Sequence, residues 1–266
     1  MEKKDFSNLM KQYAKEIEIV FTEEQIEKFY RYMNLLIEWN EKINLTAITK
    51  PEEIILKHFI DSLTILKYIG ENKTFLDIGT GAGFPGIPIK IMRENVNITL
   101  LDSLNKRIRF LDIVIKELKL EKIEAVHSRI EDYGKNKKYR EGYDIVTSRA
   151  VANLSTLSEY MLPMLKIGGM CISMKGIDVE EEMNQSKNAI KLLGGKIKFV
   201  ESLKLPGGND SRNIILIEKI KNTPNKYPRK AGIPSKEPLC WSKQNSIKKV
   251  KKIKHFYWLF FYIYIW

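Results

Sequence analysis

Hydrophobic positions along the chain follow a helical period up to about residue 70, a strand-and-helix alternation up to about residue 220, and no regular pattern beyond it. Thr22-Glu23-Glu24-Gln25 has the form of a capping box, in which the two side chains satisfy amide donors at a helix start. Ile26, Phe29, Tyr30, Met33, Leu36 and Ile37 then recur on one helical face. The pattern breaks from Asn40 to Thr49. It restarts at Pro51-Glu52-Glu53, with proline in the first turn where no amide donor is needed, and carries Ile54, Ile55, His58, Phe59 and Leu63. Residues 1–70 are therefore expected to form a helical N-terminal layer.

From Thr74 the runs Thr74–Ile78, Ile98–Asp102, Ile123–His127, Tyr143–Ser148, Met170–Met174, Ile197–Leu203 and Asn213–Glu218 predict strands, with helices between the earlier ones. This alternation implies an α/β domain over 71–220, a mostly parallel sheet covered by helices on both faces. Only Leu205-Pro206-Gly207-Gly208-Asn209-Asp210 separates the last two strands. That is too short for a crossover helix, so an antiparallel hairpin is expected there. Residues 221–239 are punctuated by proline and predict a basic extended arm rather than a packed element. Residues 240–266 pass from lysines into the almost wholly apolar His255–Trp266, which is too short to span a bilayer as a helix. They are expected to lie outside the fold.

Composition refines this outline. Cys171 and Cys240 are too few for a disulfide framework, and Met1-Glu2-Lys3-Lys4-Asp5 does not lead into an apolar leader. A reducing cytoplasm is the expected compartment, without stable membrane insertion. The net charge of +12 is uneven: residues 221–239 hold five Lys/Arg against one Glu, and 240–266 six Lys and no acid. The basic character is thus C-terminal, as phosphate contact would require and as a merely solvated tail would also show.

The richest chemistry lies in Phe75-Leu76-Asp77-Ile78-Gly79-Thr80-Gly81-Ala82-Gly83-Phe84-Pro85-Gly86. Alternate glycines let the backbone reverse with positive φ and approach a ligand at the mouth of the next helix. Read from Gly81 the run is formally GxGxxG, with Asp102 placed as a ribose-binding acid, which is the dinucleotide pattern. Against that reading, Gly79 already sits where the strand ends and Asp77 lies inside the strand. An acid there repels a pyrophosphate and suits an ammonium. The register Asp77-x-Gly79-x-Gly81-x-Gly83 resembles motif I of class I S-adenosylmethionine-dependent methyltransferases. The terminal hairpin of a seven-stranded, Rossmann-like sheet agrees with that architecture.

Ligands of open α/β sheets sit beyond the carboxyl ends of the strands. The second strand ends at Asp102-Ser103, able to meet ribose hydroxyls. The third is followed by Ser128-Arg129-Ile130-Glu131-Asp132, where an acid or backbone group can meet an adenine amino group and Ile130 can pack on the ring. Capping of the following helices explains Asp102 and Asp132 equally simply. The fourth strand ends in Thr147-Ser148-Arg149-Ala150-Val151, with no evident base or nucleophile. Such a site suits a ring nitrogen with a free lone pair, which attacks a sulfonium methyl without losing a proton.

Trp39-Asn40-x-x-x-Asn44-Leu45-Thr46, His58-x-x-Asp61-Ser62-Leu63, Asp77–Pro88, Asp102-Ser103-x-x-Lys106-Arg107-x-x-Phe110-Leu111, Ser148-Arg149-Ala150, Lys175-Gly176 and Pro228-Arg229-x-x-Gly232-x-Pro234-x-x-x-Pro238-Leu239 together resemble the bacterial 16S rRNA guanine-N7 methyltransferase family, also called glucose-inhibited division protein B. The likeness spans about residues 6–239. It implies methylation of a guanine N7 in the 530 loop of 16S rRNA, with a small-subunit particle as the substrate, by a monomer using S-adenosyl-L-methionine and no metal. It places cofactor contacts on Gly79, Phe84, Ile130, Glu131 and Arg149, with Asp77, Gly81, Asp102 and Ser103 beside them, and makes Arg149 the positioning candidate. Asn44, His58, Lys175, Arg212 and Arg229 become RNA-facing candidates, although Asn44 and His58 have equally good structural roles in a turn and a helix face. Residues 240–266 have no counterpart in the resemblance and read as a shifted frame, a read-through or a membrane-surface attachment. A non-catalytic RNA- or membrane-binding module retaining the cofactor fold is the alternative function.

Overall fold

The computed structural model describes residues 1–149, 152–176, 179–208 and 210–239. The expectations that fall on Ala150, Val151, Asn209 and the tail 240–266 lie outside the described residues. Seven strands, β1 (Thr74–Ile78), β2 (Asn97–Asp102), β3 (Ile123–His127), β4 (Tyr143–Arg149), β5 (Leu165–Lys175), β6 (Gly195–Lys204) and β7 (Ser211–Lys219), form one sheet in the order β3-β2-β1-β4-β5-β7-β6. The pairs among β1 to β5 are parallel, and β7 runs antiparallel to both β5 and β6. This is the class I methyltransferase sheet; an all-parallel dinucleotide sheet has no such insertion. The one large boundary difference is β5, which begins at Leu165 instead of Met170. A register shift opposite Tyr143/Ile145 and a positive φ of 82° at Gly168 interrupt its start, so the apolar pattern does not reveal it.

The helices are α1 (Lys3–Glu16), α2 (Glu23–Ile43), α3 (Pro51–Ile54), a π-helical turn (Ile55–Ile60), α4 (Asp61–Leu63), α5 (Gly86–Met92), α6 (Asn105–Glu117), α7 (Ile130–Tyr133), α8 (Leu154–Met161), α9 (Glu180–Leu192) and α10 (Ile233–Lys236). The capping box forms as expected: Gln25 N donates to Thr22 Oγ1 at 3.2 Å and Thr22 N to Gln25 Oε1 at 2.9 Å. The buried stripe of α2 is rotated from the expected one. Tyr32 and Leu35 are buried while Tyr30 and Ile37 are half-buried, because α2 also packs against the glycine turn, where Tyr32 Oη donates to the Ala82 carbonyl at 2.5 Å.

Alternate strand residues face opposite layers. Phe75, Ile98, Leu100, Ile145, Ile172 and Leu216 share a core with α1 to α6, so the N-terminal helices are continuous with the sheet core. Leu76, Leu101, Val146, Cys171, Ile215 and Ile217 pack with α7, α8, α9 and Tyr227. The arm 221–239 corrects one expectation: apart from the short α10 it is irregular, but it is packed. Thr223 and Tyr227 are buried, and their carbonyls accept Arg140 Nη2 and Nη1, each at 2.7 Å. Proline denies the segment regular hydrogen bonding but not burial, provided other donors reach its carbonyls.

Candidate functional site

The carboxyl ends of β1, β2 and β4 and the start of α7 surround a cleft of about 640 Å³. Of the sequence-derived candidates, Gly79, Gly81, Phe84, Asp102, Ser103, Ile130, Glu131, Arg149 and His58 line it; Asp77, Asn44, Lys175, Arg212 and Arg229 do not.

The glycines divide into two classes. Gly79 and Gly81 have φ of 66° and 63°, and a Cβ on Gly81 would meet nothing within 4 Å, so its backbone is open to the cleft. A Cβ on Gly83 would lie 2.5 Å from Ile87 Cδ1 and 2.8 Å from Tyr32 Oη, and one on Gly86 would lie 2.2 Å from Leu100 Cδ2. Those two serve close packing of the turn. Asp77 supports the same turn from beneath. Its Oδ2 accepts from Thr80 Oγ1 at 2.7 Å and Gly86 N at 2.9 Å, Oδ1 is buried without a partner among the described residues, and burial pushes the carboxyl up to about 6. The acid expected to face an ammonium therefore braces the loop and does not line the cleft.

Asp102, almost fully buried, accepts from Gly81 N at 3.0 Å, Leu104 N at 2.9 Å and Arg107 Nη1 at 3.0 Å. A carboxylate has about four lone-pair positions, which leaves room for one further donor. Ser103 follows it on the rim, its carbonyl 3.0 Å from His127 Nε2. Glu131 Oε1 accepts Gly232 N at 2.9 Å and Tyr160 Oη at 3.5 Å. The arm thus reaches the cleft wall.

The opposite wall is a stacked polar cluster. His58 lies on Phe84 with ring centroids 4.3 Å apart and 12° between planes, and the Arg149 guanidinium sits 5.1 Å from the same ring centroid. Arg149 donates to Lys57 O at 3.1 Å, Asp61 Oδ2 at 3.2 Å and His58 Nδ1 at 3.2 Å. A guanidinium only donates, so Nδ1 accepts and the proton resides on Nε2, which donates to Thr46 Oγ1 at 2.9 Å. The π-helical turn carries both His58 and the Lys57 carbonyl, a local widening of a kind frequent at functional sites. Arg212 Nε binds the other Asp61 oxygen at 3.1 Å. Burial pushes the Asp61 carboxyl up, and the two guanidiniums oppose that shift.

Burial and the facing Arg149 hold His58 down at about 3. The folded pKa is below the ordinary value of 6.5, so only the unfolded chain takes up this proton as pH falls from about 6.5 towards 3. Relative to His58→Gln, the protein is therefore expected to lose about 2 kcal/mol of stability between pH 7.5 and pH 5, at about 1.4 kcal/mol per unit below 6.5. Denaturant melts of both proteins at the two pH values check this; parallel losses would contradict it.

The remaining candidates are held elsewhere. Asn44 is the left-handed cap of α2 (φ 55°), and Asn40 Oδ1 shapes that turn by accepting Leu45 N and Thr46 N. Lys175 Nζ donates to Ala152 O at 2.6 Å and Glu182 Oε1 at 2.8 Å. Arg229, expected to face RNA, binds the fully buried Glu159 in a fork, Nε to Oε1 at 2.9 Å and Nη2 to Oε2 at 2.7 Å. An acid buried in α8 needs a counter-charge, and this pairing withdraws the guanidinium from phosphate. Tyr32, Tyr160 and Glu159 are the participants that sequence reasoning missed. Tyr32 sits three residues beyond Phe29, a spacing that could have marked it; Glu159 and Tyr160 carry no local signal.

A family model described as rRNA small subunit methyltransferase G (GidB) matches residues 25–215. "Ribosomal RNA small subunit methyltransferase G" of Desulforamulus reducens is 56% identical over 238 residues, covering 89% of this chain and 99% of that protein. The protein of the same name from Clostridium perfringens (strain SM101) is 50% identical over 236 residues, covering 88% and 99%. Among solved structures, a SAM dependent methyltransferase from Aquifex aeolicus is similar with a TM-score of 0.47 and 17% identity over 64% of this chain and 94% of that one.

Proposed function

Because the chain belongs to the rRNA small subunit methyltransferase G family, and is an S-adenosylmethionine-dependent rRNA methyltransferase, we propose that its cleft directs methyl transfer to N7 of a guanine in the 530 loop of 16S rRNA. One observation carries the reading: every carboxylate and imidazole lining the cleft is already engaged. Asp102 holds three donors, Glu131 holds the arm, and neutral His58 is bonded through both nitrogens. An N7 lone pair attacks without releasing a proton, so no general base is needed.

The residues fit the cofactor. Gly81 offers open backbone beside Gly79, Asp102 retains an acceptor position at the ribose side with Ser103, Ile130 and Glu131 form the adenine side, and Phe84 with Arg149 forms the facing wall. When bound, S-adenosylmethionine supplies an electrophilic methyl on a sulfonium. The protein's own part is orientation and exclusion of water, for which a wall stacked on Phe84 and fixed by three Arg149 hydrogen bonds is suited. His58 and Arg149 belong to the RNA-facing side of that wall. The working form is proposed to be a monomer acting on a small-subunit particle in the cytoplasm; no described helix is long and apolar enough to cross a membrane.

Unmodified small-subunit rRNA incubated with the protein and S-adenosylmethionine should gain N7-methylguanine in the 530 loop, mapped at nucleotide resolution. A methyl on another atom or in another loop would overturn the assignment. Gly81→Ala provides the matched control. Its left-handed φ costs roughly 1–2 kcal/mol of stability, while cofactor affinity, measured by calorimetry with S-adenosylhomocysteine, should fall about tenfold as a side chain enters the open backbone face. An unchanged affinity would remove Gly81 from the site.

A further inference from the structure

The loop 134–142 and the arm 221–239 are about ninety residues apart in sequence and are sewn together in the fold. Besides the Tyr227 and Thr223 carbonyls, Arg140 reaches Gly134 O at 3.3 Å, and Glu141 Oε1 accepts Thr223 N at 3.0 Å and faces the buried Lys219 Nζ at 3.1 Å. This brings Lys135, Lys137 and Lys138 of the loop beside Lys221, Lys226 and Lys230 of the arm, all exposed. None of the six has an ion pair among the described residues. Of the acids around them, Glu141 is occupied by Lys219 and Thr223, Glu159 by Arg229 and Glu131 by Gly232, which leaves the exposed Asp132 and Glu237 against six lysines. Lys138 and Lys226 extend over the rings of Tyr139 and Tyr227, each 5.2 Å from the centroid.

We propose that this loop-and-arm ridge is the surface that grips the phosphate backbone of the substrate RNA; the proposal rests on the rRNA methyltransferase reading above. Its register with the cleft is built in. The loop follows α7, whose Ile130 and Glu131 line the cleft, and the arm is tied to that wall by Gly232 N on Glu131 and by Arg229 on Glu159, next to Tyr160. RNA gripped on the ridge is therefore held at a fixed offset from the reacting base. A protein partner fits less well. No large hydrophobic side chain is exposed among the described residues of either segment, whereas protein interfaces have an apolar centre. Phosphates need only unpaired cations, and each one neutralised steepens the salt dependence of binding.

The test is Lys137→Glu/Lys138→Glu/Lys226→Glu, which breaks no side-chain hydrogen bond or ion pair among the described residues, against Lys4→Glu/Lys15→Glu/Lys116→Glu, which makes the same charge change on α1 and α6 across the sheet. For naked 16S rRNA, the ridge variant should bind about 10- to 100-fold more weakly at fixed salt and lose about two units of the slope of log K against log salt. S-adenosylhomocysteine affinity should be unchanged in both, and the α1/α6 variant should keep its slope. If wild type methylates rRNA and the ridge variant binds it with unchanged affinity and slope, the ridge is not the RNA surface. Weakened binding of a small-subunit particle with naked rRNA binding intact would assign the lysines to a protein and likewise overturn the proposal. If wild type transfers no methyl to rRNA, the functional reading fails, and with it the ridge.

Discussion

Asp61→Ala is expected to destabilise the protein by about 3–5 kcal/mol, the cost of removing one partner from a buried ion cluster. Asp61 is 4% exposed and divides its two oxygens between Arg149 and Arg212. Without it two guanidiniums face each other across a cavity, with only carbonyl oxygens and His58 Nδ1 left as acceptors. Arg149 then loses one of the three bonds that fix it over Phe84, so methyl transfer should fall along with stability. Asp61→Asn separates the two effects. It keeps the shape and one acceptor, and is expected to lose more activity than stability. A denaturant midpoint shift worth less than about 1 kcal/mol for the alanine variant would show that the cluster relaxes into water and carries little structure.

Glu159→Ala is expected to cost a similar amount, about 3–5 kcal/mol, by a different route. Glu159 is fully buried and accepts the Arg229 backbone amide, Nε and Nη2. Its loss removes one anchor of the arm and leaves the half-buried Arg229 without its counter-charge. Gly232 N should then leave Glu131, loosening the cleft wall formed by Ile130 and Glu131. Hydrogen exchange and limited proteolysis should report the arm opening between residues 221 and 239, with weaker cofactor binding. An arm as protected as in wild type would mean that Arg140 and the buried Tyr227 hold it alone.

The hydrophobic pattern sufficed for most of the architecture. Strand and helix periods are local properties of sequence, and the six-residue separation of β6 and β7 leaves no topology but a hairpin. The capping box and the restart at Pro51 were legible for the same reason, since caps are satisfied by residues within one turn. The glycine turn was legible as a backbone reversal because positive φ is written in glycine.

The division of labour within the turn was not legible. Gly81 and Gly83 look alike in sequence, yet one faces open space and the other meets Ile87 and Tyr32. Asp77 reads as a ligand acid and acts as a loop brace, because its neighbours Thr80 and Gly86 are brought over it only by the turn. The arm was misread as extended because proline marks the absence of regular structure, whereas packing depends on Arg140 some ninety residues away.

The sequence alone determined the sheet and its helices, the terminal hairpin, the place of the glycine turn and the family to which these motifs belong. Tertiary structure alone decided which charged residues remain free. Arg229, Lys175 and Arg212 are cations in sequence but partners of Glu159, Glu182 and Asp61 in the fold, while the lysines of 135–138 and 221–230 have no ion pair among the described residues. The physical reason is burial: an acid removed from water must find a counter-charge, and which cation it takes depends on distances that only the folded chain establishes.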